Sequence, residues 1–255
     1  MPVLEKFQLV DRVAVVTGGN RGLGRAFAQA LGEAGAMVAI VARGREANEV
    51  AVEELTQAGI GARAYEADVA DRETLASAAE QIMSDFGRVD VLVNNAGTVV
   101  HKPSLEVTKD EWDTVMRVNV DGVWNGCQIF GEYMVQAGQG SIVNVGSMSA
   151  LIVNRPQWQP AYNASKAAVH HLSKSLAAEW APHGVRVNAV APGYVRTDLS
   201  PVDDPDLKPR WIDDAPQQRA ADPEEIAPAV VFLASPASSF VTGAELVIDG
   251  GYTVF

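Results

Sequence analysis

The chain has 255 residues, 47% hydrophobic and 20% charged, with 20 basic side chains against 32 acidic ones. That length fits one large α/β domain or two small ones with a sizeable core, and a formal net charge of −12 repels nucleic acid and anionic membranes as partners. No apolar run approaches the roughly 18 residues that span a bilayer, and the single cysteine, Cys127, excludes an internal disulfide and a zinc cluster.

The opening Met-Pro-Val-Leu-Glu-Lys-Phe lacks the basic and apolar regions of a secretion signal, so a cytoplasmic protein is expected. From there, short β-branched runs alternate with longer Ala-rich amphipathic ones. A strand is expected at 12–17 and a helix at 22–35, then a strand at 38–42 and a helix at 45–58. Strands at 63–66 and 89–93 flank a helix at 71–86. A long helix at 109–136 leads to a strand at 141–145, followed by a helix at 161–180 and a strand at 185–190. A short helix at 223–234 and a last strand at 245–248 complete the set. Such alternation implies a parallel sheet of about seven strands with helices on both faces. Right-handed crossovers then leave the doubly wound arrangement. Residues 200–222 break the rhythm with Pro201, Pro205, Pro209 and Pro216 among many aspartates. They form either a solvated surface loop or a substrate lid. No linker appears elsewhere, so a single domain spanning 1–255 is expected.

Thr17-Gly18-Gly19-Asn20-Arg21-Gly22-Leu23-Gly24 follows the first strand and opens the first helix. Glycines let a backbone approach a pyrophosphate, and a helix N-terminus supplies free N–H groups and a positive dipole end. The spacing is GxxxGxG rather than the commoner GxGxxG. Other segments follow in order: Asn94-Asn95-Ala96-Gly97 after the fourth strand, Asn119 in the long helix, and Tyr162 with Lys166 one helical turn on. Pro192-Gly193-Tyr194-Val195-Arg196-Thr197 comes after the sixth strand and Asp249-Gly250-Gly251 near the end. In this order they resemble the short-chain dehydrogenase/reductase family over nearly the whole chain, which implies a Rossmann-type fold and a nicotinamide cofactor.

The resemblance implies that Gly18, Asn20, Arg21, Gly22, Leu23 and Gly24 cradle the cofactor. Asp68 resembles the family's adenine-binding residue, with Val69 beside it. Asn95, Ala96 and Gly97 line the ribose, and Thr197, with Pro192, Gly193 and Val195, meets the carboxamide end. An NAD site needs a carboxylate at the end of the second strand; here Ala42 fills that position and Arg43 follows. A guanidinium holds a 2′-phosphate bidentately where a carboxylate repels it, and Arg21 is a second cation beside the same pocket. NADP(H) is therefore the expected cofactor, with NAD(H) as the alternative.

Tyr162 and Lys166 share one helix face. Reducing a ketone puts negative charge on oxygen and requires a proton; oxidising an alcohol runs that path backward. A phenol with a pKa of about 10 is a poor base at neutral pH unless a neighbouring ammonium and the oxidised nicotinamide favour phenolate. Tyr162 is thus expected to serve as acid and base, and Lys166 to tune it while holding the cofactor ribose. Ser147, directly after the fifth strand, is expected to orient the substrate oxygen, with Ser149 lining the pocket. Asn119 resembles the family member that anchors a water in a proton relay; a buried asparagine satisfying a backbone group is the plainer alternative. His101, His170 and His171 read as structural, no metal site is expected, and the absence of a Gly-x-Ser-x-Gly elbow sets hydrolases aside.

Residues 146–168, with 241–246 and 249–255, resemble the polyol dehydrogenase and ketose reductase branch, whose members act on galactitol, mannitol, xylulose and sorbose. Asn154 and Gln157 would then pair their amides with substrate hydroxyls, and Trp158 would cover a C–H face. The expected reaction is hydride transfer between a ketone or ketose and a secondary alcohol or polyol. A 3-oxoacyl-(acyl carrier protein) reductase shares every motif, but its acidic partner calls for a basic docking patch, and residues 125–139 contain no Lys or Arg. A catalytically inactive NADP-binding regulator is the alternative of another class, opposed by the intact Asn119, Ser147, Tyr162 and Lys166. Relatives pair their long helices into homotetramers, which implies the same here. Asp249 alone is a thin candidate for a structural cation.

Overall fold

A strand buried on both faces reads as a continuous apolar run, and Val13–Thr17 (β1) is buried at every residue. In the computed structural model, which describes residues 2–198 and 200–255, β1 lies mid-sheet. Around it run Met37–Ala42 (β2), Ala62–Glu66 (β3), Val91–Asn94 (β4), Gly140–Val145 (β5), Val185–Pro192 (β6) and Glu245–Ile248 (β7). Among the described residues these form a 7-stranded sheet in the order β3-β2-β1-β4-β5-β6-β7, with every pairing parallel. The order reverses between β1 and β4, where the carboxyl ends of the strands part and leave a crevice.

Helices Gly22–Glu33 (α1), Arg45–Gln57 (α2) and Pro223–Ala234 (α7) cover one face, burying Phe27, Leu31, Leu55, Ile226 and Val230. Helices Arg72–Phe86 (α3), Gly122–Ala137 (α5) and Pro160–Trp180 (α6) cover the other, burying Leu75, Ile82, Phe130, Met134 and Leu176. Local chemistry fixes the helix starts. Asp71 accepts from the N–H groups of Glu73 and Thr74 ahead of α3, and Asp222 with Glu225 makes a capping box around Pro223 at α7.

The helix expected over 109–136 is broken. Lys109–Met116 (α4) passes into a π-helical turn at Arg117–Asp121 before α5 begins. One extra residue shifts the apolar phase by a single position, which periodicity alone does not resolve; such π-turns recur at functional sites. Residues 200–222 are not a featureless loop either. They carry a π-helical turn at Pro209–Asp213 and a small core of Val202, Trp211, Ile212 and Ala220, against which Tyr194 and Leu207 pack. Among the described residues no helix is long and apolar enough to cross a membrane.

Candidate active site

The glycine turn leaves β1 with Gly18 at φ +62° and Gly22 at φ +51°, in the left-handed region that favours glycine. Gly24 has a different reason. A Cβ there would lie 2.1 Å from the Gly18 carbonyl oxygen and 2.5 Å from Asn95 Nδ2, so only hydrogen fits. Asn95 Nδ2 donates to the carbonyls of Thr17 at 3.0 Å and Gly18 at 3.2 Å. Thr17 Oγ1 accepts from the N–H groups of Asn95 at 3.0 Å and Ala96 at 3.1 Å. This clamp ties the turn to the end of β4, and Thr17's part in it escaped the sequence reading. The N-cap Arg21 gives α1 no side-chain cap, so first-turn N–H groups stay open to an anion. A pyrophosphate fits this cradle. Gly24→Ala is expected to destabilise the fold by about 3 kcal/mol through overpacking. Thermal melting should show a lower Tm that no longer rises with added NADPH.

At the end of β2, Arg43 is exposed and its guanidinium lies 3.6 Å from Asp68 Oδ2. An exposed pair of that length contributes little, so the guanidinium remains available to a phosphate. Arg21 is also exposed. Asn20 donates to Asn48 Oδ1 at 2.8 Å, and Asn48 donates to the Ala42 carbonyl at 2.9 Å. Buried Asn48, absent from the sequence reading, thus fixes the glycine turn to β2. Val69 is held by Asn125, which donates to its carbonyl at 3.0 Å. The 192–197 segment closes over the turn: a Cβ at Gly22 would meet Thr197 Cγ2 at 3.7 Å.

Tyr162 and Lys166 lie on successive turns of α6, beside the end of β5. Lys166 is 4% exposed; its Nζ donates to the Val145 carbonyl at 2.7 Å and lies 5.5 Å from the centre of the Tyr162 ring. Desolvation pushes Lys166 down to about 8. The same cause raises Tyr162 above its ordinary value, opposed by a hydrogen bond with Ser147. Burial keeps the phenol protonated in the free protein; the lowering expected from Lys166 and the oxidised nicotinamide together belongs to the cofactor-bound site. Of the two serines, Ser147 is the one beside the phenol; its Oγ donates to Ser149 Oγ at 3.0 Å.

Asn119 sits in the π-turn, and its side chain is spent locally. Nδ2 donates to the Thr98 carbonyl at 2.9 Å and to Ser165 Oγ at 3.0 Å, while Oδ1 accepts from the Thr98 N–H at 2.8 Å. These bonds satisfy both polar backbone groups of Thr98. Gly97 separates it from Lys166: a Cβ at 97 would lie 3.4 Å from Asn119 Oδ1 and 3.8 Å from Lys166 Nζ.

Next to the serines is a cluster of amides and aromatic rings. Asn154 donates to the Tyr194 hydroxyl at 3.1 Å and accepts from Gln159 at 3.1 Å. Gln159 also donates to Ser149 Oγ at 3.2 Å. Gln157 accepts from the Trp211 indole at 2.7 Å, and Trp211 stacks on Tyr194 at 4.3 Å. Gln159, Tyr194 and Trp211 were missed in the sequence, although Tyr194 lies inside a recognised motif. Trp158 does not join them. It is 54% exposed, and Trp211 from the 200–222 segment is the indole that packs here.

Asp249 is also occupied, accepting from the N–H groups of Gly251 at 2.9 Å and Thr253 at 2.8 Å. That carboxylate caps the last turn. Cys127 is buried between Asn94 and Asn144, and its thiol is pushed up to about 12 by burial, which disqualifies it as a nucleophile.

A family model described as enoyl-(acyl carrier protein) reductase matches residues 18–253. The chain is 47% identical to galactitol 2-dehydrogenase (L-tagatose-forming) from Cereibacter sphaeroides over 251 residues, 98% of each chain. It is 39% identical to a sorbose reductase from Candida albicans, with 98% of this chain and 90% of that one covered. A gluconate 5-dehydrogenase from Burkholderia cenocepacia J2315, crystallised in complex with NADP and tartrate, matches over 100% of both chains with a TM-score of 0.95 at 35% identity.

Proposed function

Since the chain belongs to the short-chain dehydrogenase/reductase family, we propose that it is an NADP(H)-dependent oxidoreductase interconverting ketoses and polyols. The convergence of Ser147, Tyr162 and Lys166 beside the glycine turn carries this reading, together with the amide cluster next to them. The relatives named for galactitol and sorbose support the substrate class. The NADP of the gluconate 5-dehydrogenase complex and the carboxylate-free end of β2 support the cofactor.

When bound, the cofactor supplies or accepts a hydride. The residues of the chain do the rest. Open N–H groups at the start of α1 bind the pyrophosphate, with Gly18, Asn20, Gly22, Leu23 and Gly24 shaping the cradle. Arg43 and Arg21 hold the 2′-phosphate, Asp68 and Val69 the adenine, and Asn95, Ala96 and Gly97 the ribose. Pro192, Gly193, Val195 and Thr197 enclose the carboxamide. Ser147 donates to the substrate oxygen and fixes its direction, and Tyr162 delivers the proton. Because the free protein keeps that phenol protonated, the proton is in place for reduction at neutral pH. Asn119, fixed in the π-turn by its bonds to Thr98 and Ser165, would anchor a water in a proton relay to Lys166. Asn154, Gln157 and Ser149 receive substrate hydroxyls on a wall built by Tyr194 and Trp211.

Lys166, which grips the ribose, is an ammonium below about 8 and loses its charge above. NADPH, being anionic, should raise that value on binding. Its affinity is expected to weaken as pH rises through the same region, and fluorescence titrations on either side of it check the sign.

Residues 200–222 act as the substrate loop of a single catalytic domain. Exposed Trp112 and Trp124 on α4 and α5 and Val247 on β7 suit pairing with other copies into a cytoplasmic homotetramer. An acyl carrier protein is a poorer partner, since residues 125–139 offer its acidic surface no Lys or Arg. Initial rates with NADPH on a panel of ketohexoses, small ketones and an acetoacetyl thioester test the reading. Preference for ketohexoses supports it, selective thioester reduction transfers the case to acyl reduction, and no turnover at all points to a cofactor-binding regulator.

A further inference from the structure

Tyr162, Lys166 and His170 recur on successive turns of α6 and share one face. His170 is 4% exposed, and its ring is wedged against the end of β5, where a Cβ at Gly146 would lie 2.1 Å from Nε2. That nitrogen accepts from the backbone N–H of Ser147 at 3.4 Å. A nitrogen that accepts carries no proton, so the neutral ring holds its proton on Nδ1. Nδ1 is buried without a hydrogen-bond partner among the described residues, and the nearest carboxylate oxygen, Glu245 Oε2 at the start of β7, lies 3.5 Å away. Glu245 Oε1 is in turn 2.8 Å from the Lys174 ammonium. The site thus has a chain of polar groups running from Lys174 through Glu245 and His170 to Ser147.

We propose that His170 is a positioning residue for the reaction: a neutral imidazole, wedged against Gly146, that latches the Ser147 backbone through Nε2 and sets the direction of the Ser147 hydroxyl. This rests on the role given to Ser147 above. Gly146 is the counterpart of the latch, because any side chain there displaces the ring. Protonation of Nε2 would replace an acceptor with a donor facing the Ser147 N–H, so the latch opens in acid. The charged groups facing the ring are Glu245 from β7 and Lys166 and Lys174 from α6, while β5 carries no titratable side chain. Burial and the two ammonium groups hold the imidazole below its ordinary value, against Glu245, so the neutral form persists through neutral pH and is lost below it.

The test compares full-length wild type, His170→Leu, His170→Gln and Ser147→Ala by kcat and KM against pH, with NADPH affinity by fluorescence. His170→Leu is expected to lose kcat about tenfold near neutral pH, with NADPH affinity unchanged. His170→Gln keeps an acceptor near the place of Nε2 and does not titrate. It is expected to regain most of kcat and to lose the acidic limb of the wild-type profile. A His170→Leu enzyme with wild-type kcat and an unmoved acidic limb overturns the latch. Nitrogen-15 shifts of the wild-type histidines give a readout independent of folding in the variants: an unprotonated Nε2 on His170 is expected, and a protonated one overturns the proposal. Ser147→Ala separates the two readings. An active Ser147→Ala enzyme defeats the role of Ser147 itself, whereas an inactive one beside an unaffected His170→Leu defeats the latch alone.

Discussion

Tyr162→Phe is expected to lower kcat for ketose reduction by about a thousandfold while leaving NADPH affinity within about twofold, a small change on the scale of a single lost contact. The substitution removes one hydroxyl and little else. The ring stays, so the Lys166 ammonium keeps its position 5.5 Å from the ring centre and its bond to the Val145 carbonyl. Ser147 still meets the substrate oxygen. What disappears is the proton donor, and a positioned general acid contributes about 10²–10⁴ in rate. Because burial raises the pKa of this phenol, its removal also relieves a desolvated group, so the fold should not suffer. Initial rates and a fluorescence titration on the same preparation separate the two effects. Undiminished turnover removes Tyr162 from the chemistry, and lost NADPH binding would mean that the ring, not the hydroxyl, is what matters.

Arg43→Asp is expected to shift the ratio of kcat/KM for NADPH over NADH about a hundredfold toward NADH. A bidentate guanidinium–phosphate contact comprises two charge-assisted bonds of about 2 kcal/mol each, which in full would give about a thousandfold. The side chain is 72% exposed, so water and salt screen part of that. The new carboxylate accepts from ribose hydroxyls, as NAD sites require. Asp68, 3.6 Å from the guanidinium in the native pair, would then face a like charge. Adding Asp68→Asn to the variant should therefore not restore NADPH preference. A ratio that does not move shows that Arg43 plays no part in cofactor choice.

The fold was readable because its signals are local. The strand at Glu245–Ile248 and the helix at Pro223–Ala234 coincide with the expected segments to the residue. The strand expected from Val89 starts at Val91, although the Asp90 backbone already bonds to Val13 and Ser141 on the two neighbouring strands, a boundary difference of the size strand ends commonly show. The break between α4 and α5 was invisible, since one inserted residue shifts the apolar phase by a single position, within the scatter of an amphipathic pattern.

The candidate site divides in the same way. Glycine turn, Tyr162 and Lys166 lie within short motifs whose spacing carries their geometry. The cluster of Gln157, Gln159, Tyr194 and Trp211 does not, because its bonds join segments with no shared periodicity, one of them the aperiodic 200–222 stretch. Trp158 stays 54% exposed while Trp211 packs on Tyr194, because sequence adjacency to Gln157 says nothing about which indole turns inward. The raised pKa of Tyr162 likewise depends on how much water the fold removes, and the sign of that effect has no sequence signature.

The most direct measurement is deuterium transfer from NADPH dideuterated at nicotinamide C4 to a ketohexose, with unlabelled NADH in competition and the polyol read by mass spectrometry. One deuterium on the new carbinol carbon, formed by wild type and about a thousandfold more slowly by Tyr162→Phe, is the expected result. An unlabelled polyol formed chiefly at the expense of NADH, or label transfer confined to an acetoacetyl thioester, contradicts an NADPH-dependent ketose reduction.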